Sequence, residues 1–173
     1  CLVCGAPLEY LQSQIEMECT YCHKTFMSNA RCVNGHFICD SCHEQMGLRV
    51  IEDICRHTDS KDPVAIMKKI ILSPYIYMHG PEHHVLVGSV LLAAYKNAGG
   101  ELDLDAALEE MRNRGTQVPG GICGLWGTCG AAVSTGIFIS LITGASPLSG
   151  KEWGLCNEMT SRSLGAIAKT GGP

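Results

Sequence analysis

The stretch "RCVNGHFICDSCH" (31–43) crowds three cysteines and two histidines into thirteen positions. Nothing else in the chain constrains folding as much. Together with the upstream pairs it gives four ligand pairs: Cys1/Cys4, Cys19/Cys22, Cys32/His36 and Cys39/Cys42. Zinc takes four tetrahedral thiolate or imidazole ligands, and a C-x-x-C turn presents two of them on one small knuckle. Eight ligands therefore make two closed structural sites. "CLVCG" and "CTYCHK" resemble the knuckles of a zinc ribbon. The spacing C-x2-C-x9-C-x3-H-x2-C-x2-C from Cys19 to Cys42 also resembles the first six ligands of a RING finger, with Cys1/Cys4 supplying the last pair from upstream. Sequential pairing gives Cys1, Cys4, Cys19, Cys22 and then Cys32, His36, Cys39, Cys42. Cross-brace pairing gives Cys1, Cys4, Cys32, His36 and then Cys19, Cys22, Cys39, Cys42, and we favour it slightly. His23 and His43 follow their knuckles directly and are expected at the surface rather than as ligands.

A chain of 173 residues suggests one domain plus a small appendage. The expected boundary lies at 46/47: a two-zinc ribbon or RING-like module over 1–46, then an all-α domain over 47–173. The fold class is mainly α. The first segment has few large apolar residues and little expected regular structure, so metal must staple it. The formal net charge of −4 and the absence of a basic run argue against a nucleic-acid partner. Eleven cysteines, eight of them in the first 55 residues and mostly in C-x-x-C pairs, favour metal in a reducing compartment over a disulfide scaffold. With no signal peptide ahead of Cys1, the expected location is cytoplasmic, although the chain starts without methionine and is read as a segment.

Helix signals follow one another after residue 46. "GLRVIEDICRH" (47–57) is amphipathic, and Cys55 is expected to pack it on the core, with His57 a weaker site candidate. Asp62 and Pro63 start a helix that Pro74 ends; Pro81 opens another that Gly99 and Gly100 close. "DLDAALEEMRNRG" forms a third, ending at Gly115. From Gly115 to Gly150 there is no charged residue, but glycines and Pro119 interrupt the run, so a buried central helix over "AAVSTGIFISLIT" is expected rather than a membrane span. Ser149 and Glu152 sit at capping-box spacing before a last helix.

A second group of residues invites chemistry. His79, His83 and His84 cluster around Pro81 at a helix start, where the electropositive end suits a neutral imidazole as ligand or proton acceptor. Cys123 and Cys129 lie in the glycine-rich "GGICGLWGTCGAA", where a helix start favours thiolate and bound anions. Cys156 lies on the last helix. Buried cysteines also serve simply as small apolar residues. The expected roles are catalytic for Cys123, Cys129, His83 and His84, and cofactor-binding for His79 and Cys156.

Through "SNARC", "DSKDP", "MHGPEHH", "QVPGGICGLWGTCGAA", "TGASPLS" and "MTSRSL" the chain resembles an uncharacterised cysteine-rich family, a domain of unknown function, of anaerobic bacteria and methanogenic archaea. That family occurs alone or near S-adenosylmethionine-dependent methyltransferases, which implies such a partner. The run from His83 to Gly144 is also similar to the helical, redox-active C-GCAxxG-C-C family, with Gly127, Cys129, Gly130 and Ala131 matching its buried-helix start. The His83/His84 region stands where that family has its first-helix cysteine. This departure implies a mixed His/Cys site, an iron–sulfur cluster or another transition metal. The expectation is a zinc-scaffolded redox or metal-centre protein of anaerobic metabolism. The alternatives are a non-enzymatic adaptor and a Cys/His transferase.

Overall fold

The structure is a computed structural model and describes residues 1–171. It divides into two compact units, one over Cys1–Gly47 and one from Leu48 onward.

The first unit is built on a β-hairpin, where the sequence suggested little regular structure. Strand β1 (Leu8–Glu18) pairs antiparallel with β2 (Thr25–Cys32). The register slips between Tyr10, opposite Ala30, and Ile15, opposite Ser28. The polar run "QSQ" (12–14) falls in that slip, and the Ser28 hydroxyl accepts the Ala30 N–H at 3.1 Å where the ladder is broken. Apart from cysteines, Met17 is the one large apolar side chain of this unit that is buried among those described. The strands escaped the sequence reading because both faces are largely exposed, so β1 carries no clean two-residue alternation.

The turn of the hairpin is itself a knuckle. The Cys19 N–H donates to Lys24 O at 2.9 Å, and the His23 N–H donates to Cys19 O at 2.9 Å. After β2 the chain turns at Gly35 (φ +84°) and enters α1 (Asp40–His57). This helix starts seven residues before the expected 47. The candidate ligands Cys39, just ahead of the helix, and Cys42, in its first turn, hide the apolar periodicity there.

The second unit is all helical. It continues α1 and adds α2 (Pro63–Ile71), α3 (His83–Asn97), α4 (Leu104–Gly115), the short α5 (Ile122–Leu125), α6 (Gly130–Thr143) and α7 (Gly150–Ala168). Asp62 caps α2 by accepting the Val64 N–H at 2.9 Å, with Pro63 at the first helical position. Asp103 caps α4 by accepting the Ala106 N–H at 3.1 Å. Ser149 begins α7, but the capping box does not form. Its hydroxyl instead accepts the Ser146 N–H at 3.0 Å within the preceding turn.

Helix α3 is the hub, packing on α2, α4 and α6. Its Val85, Leu86, Val90 and Leu92 join Leu48, Ile51 and Cys55 of α1, Ile66 and Ile70 of α2, and Leu108 and Met111 of α4 in one core. The expected buried central helix forms as α6, but it is less enclosed than α3; Ile137, Ile139, Leu141 and Ile142 are only partly covered, on one side by α7. Small residues set the spacing. A Cβ on Gly88 would run into Met111 and the Ser134 carbonyl, and the Gly88 N–H donates to Ser134 Oγ at 2.8 Å. Within this unit the buried Glu52 joins α1 to α4 by accepting from Arg112 at 3.1 Å, and it also accepts from Arg56 of its own helix at 3.4 Å. No described helix is long and apolar enough to cross a membrane.

Candidate metal centres

Each ligand pair is presented by local backbone. In the three C-x-x-C pairs the N–H after the second cysteine turns back to the carbonyl of the first: Gly5 to Cys1 at 2.8 Å, His23 to Cys19 at 2.9 Å, and His43 to Cys39 at 3.0 Å. Gly5 (φ +72°) adopts the left-handed conformation at no steric cost, while His23 (φ 58°) adopts it with a side chain. In the fourth pair the Gly35 N–H closes a turn on Cys32 O at 2.7 Å, and the Cys32 N–H donates to His36 O at 2.8 Å.

These knuckles converge as two tetrads. Ligand atoms of Cys1, Cys4, Cys32 and His36 all lie within 4.8 Å of one another, as do those of Cys19, Cys22, Cys39 and Cys42. This is the interleaved, cross-brace partition. Cys4 Sγ lies 3.5 Å from Cys32 Sγ, and Cys1 Sγ 3.8 Å from His36 Nδ1. Cys22 Sγ lies 3.8 Å from Cys39 Sγ. Four sulfurs at a zinc–sulfur distance of about 2.3 Å would stand about 3.8 Å apart along a tetrahedral edge. Both tetrads therefore fit a tetrahedral ion by separation and by donor chemistry, and could hold one each. Two residues of chain separate His36 from Cys39, so at most about 11 Å of backbone ties the tetrads together.

The thiols are tuned by what surrounds them. The Ala6 amide, and then the Asn34 side chain, hold the Cys4 thiol down at about 6. Asn34 Nδ2 lies 3.5 Å from Cys4 Sγ, and the Asn34 N–H donates to Cys32 Sγ at 3.3 Å. Sequence reasoning missed this residue; its only signal was its place inside the Cys32–His36 turn. At Cys19, burial opposes ionisation, but the amides of Cys39, Cys22 and Tyr21 outweigh it and bring the thiol to about 6. Across the same tetrad, burial and then the neighbouring thiols push Cys42 up to about 12, and burial also raises Cys39. One thiolate at the centre thus disfavours the next. A divalent cation is the natural way to ionise all four.

The two flanking histidines stay out of both tetrads. His23 is exposed and lies 2.9 Å from Glu18, whereas His43 is buried rather than at the surface, because it stands within the first turn of α1.

The helical unit arranges its candidates differently. His79 is exposed in the turn before α3. His83 begins α3, its Nε2 lying 2.8 Å from Tyr77 O. Glu82, fully buried just ahead of it, accepts the Tyr77 N–H at 3.0 Å and so pins the same turn. His84 is half-buried, with Nδ1 3.0 Å from Val118 O. A Cβ on Gly130 would strike His84 Cδ2 and Nε2, so the imidazole lies against the first residue of α6. Cys129, half-buried, is the N-cap of that helix. Cys123 is exposed in α5, and Cys156 is half-buried on α7. Among the described residues these side chains do not form a third group of three or more ligands. Cys55 is wholly buried in the core, and burial pushes its thiol up to about 12.

No curated protein and no solved structure matches the chain. A family model does match residues 51–173, most of the helical part, under the description Family of unknown function (DUF5714). The chain belongs to that family.

Proposed function

We propose that the chain is a zinc-scaffolded thiol redox protein. Its N-terminal unit holds two structural zinc ions, Cys1, Cys4, Cys32 and His36 binding one and Cys19, Cys22, Cys39 and Cys42 the other. The observation that carries the zinc reading is the pair of tetrads with separations close to a tetrahedral edge. Each site is closed, with four protein ligands and no open position, which is the pattern of a structural rather than a catalytic zinc. The helical unit carries the chemistry at Cys129. Support comes from the imidazole of His84 lying against Gly130, the next residue, with Nδ1 tied to Val118. That tie leaves Nε2 as the nitrogen free to exchange a proton beside the head of α6. An iron–sulfur cluster needs three or four thiolates in one place. The described helical thiols do not gather that way, which favours thiol chemistry over a cluster.

The test is metal content and a visible spectrum on protein purified without oxygen. Two zinc ions per chain, no colour, and one fast-reacting thiol lost in Cys129→Ser support the reading. Iron with broad absorption near about 400 nm would replace it with a cluster protein. Native-state inertness of Cys129 would favour the adaptor reading instead. The exposed Leu8, Tyr10 and Met27 of the hairpin would then be the docking residues.

A further inference from the structure

A groove in the helical unit is left unused by the thiol reading. Parts of α4, α6, α7 and the loop between α6 and α7 line an open groove of about 520 Å³, of a size that takes a small ligand. Two stretches singled out in the sequence meet there: "TGASPLS" contributes the rim through Ala145 to Pro147, and "MTSRSL" contributes Thr160. The floor is Gly136, where a Cβ would strike Thr160 and come within 3.0 Å of the Cys156 carbonyl.

The chemistry of the wall is selective. Among the described lining residues Arg114 is the single charged one, and no carboxylate lines the cavity. Its guanidinium is fixed in place: Nε donates to Glu110 at 2.7 Å and Nη1 to Ser140 Oγ at 2.9 Å. Among the described residues no hydrogen bond uses Nη2, so that nitrogen is left to donate to a ligand oxygen. Trp153, 55% exposed, offers an indole on the opposite helix. Val133, Ile137 and Pro147 add apolar surface, and Ser146, Asn157 and Thr160 add neutral polar groups. One guanidinium, partly neutralised by Glu110, suits a single negative charge and not a polyphosphate, and it repels cations.

We infer that this groove binds a small, planar, singly anionic molecule of the aromatic carboxylate class, its carboxylate on Arg114 and its ring against Trp153. The half-buried Cys156 stands on the same wall and is covered when the ligand is in place.

The experiment titrates the full, zinc-loaded chain with 1-anilinonaphthalene-8-sulfonate, a planar fluorescent anion, and displaces it with benzoate. The expected result is one saturable site, displaced by benzoate, with Cys156 protected from iodoacetamide in the benzoate complex. Arg114→Gln weakens binding at least tenfold, and Cys156→Phe, which fills the groove, abolishes it. Both variants are first shown to keep their far-ultraviolet spectrum and melting temperature. Absent or non-saturable dye binding overturns the inference. So does binding unchanged in both variants, or a groove shielded from dye and iodoacetamide by a second copy in solution. Zinc content is measured on the same samples and is independent of this outcome, so failure here leaves the metal reading standing.

Discussion

Paired ligand substitutions separate the cross-brace from sequential pairing by simple counting. The wild-type chain is expected to carry two zinc ions. Cys4→Ser with Cys32→Ser removes two ligands from one tetrad, whose sulfurs lie 3.5 Å apart, and leaves the other tetrad whole. One zinc ion should remain. Cys4→Ser with Cys22→Ser takes one ligand from each tetrad, so neither keeps four. A full structural site contributes about 10–16 kcal/mol of apparent binding free energy, so a damaged one yields its ion to a competing chelator that a whole one resists. The expected counts after dialysis against chelator are therefore two, one and none for wild type, Cys4/Cys32 and Cys4/Cys22. Zinc per chain is read by atomic emission. Sequential pairing reverses the last two values, and that reversal would refute the partition. If every single-ligand variant lost both ions, the independence of the sites would be refuted instead.

Other outcomes follow from the packing and the backbone. His23→Gly relaxes a left-handed residue at the knuckle after Cys22 and should stabilise the metal-loaded hairpin by about 1 kcal/mol, less a few tenths for the exposed Glu18 contact, measured by chelator challenge. Gly88→Ala drives a methyl into Met111 and the Ser134 carbonyl, and should cost about 2–3 kcal/mol in urea unfolding of the helical unit. Cys55 ionises near 12 in the folded chain and near 9 when exposed, so the neutral thiol is favoured by folding. Its contribution is complete below about pH 9 and fades as pH rises toward 12; Cys55→Ala should flatten that part of the stability profile relative to wild type.

The two candidate ligand tetrads were legible because knuckle spacing is a local property, fixed by a handful of bonds. The Asp62 cap was legible for the same reason, since a cap reaches only two or three residues along the chain. The hairpin was not. Both faces of β1 are largely exposed, so it shows none of the alternation that betrays a strand over a core. The early start of α1 was masked because Cys39 and Cys42 turn toward the candidate tetrad rather than forming an apolar stripe. Ser149 and Glu152 had capping-box spacing, yet the hydroxyl was taken by the Ser146 turn, a competition that spacing does not show. The His/Cys candidates of the helical unit were found one by one, but their distribution over α3, α5, α6 and α7 is tertiary. So is the groove at Arg114, which draws on three helices and a loop.

The 3.5 Å between Cys4 and Cys32 has a practical meaning for anyone who handles the molecule. With an ion between them, two sulfurs at that range are harmless partners. Stripped of it in air, they are a thiol pair poised to couple, and the coupled pair no longer accepts metal. Emptying the site would be reversible under nitrogen, and on the bench only after a reductant had cleaved the coupled pair. The age of a sample and its exposure to oxygen would then decide how much of it can still be refilled.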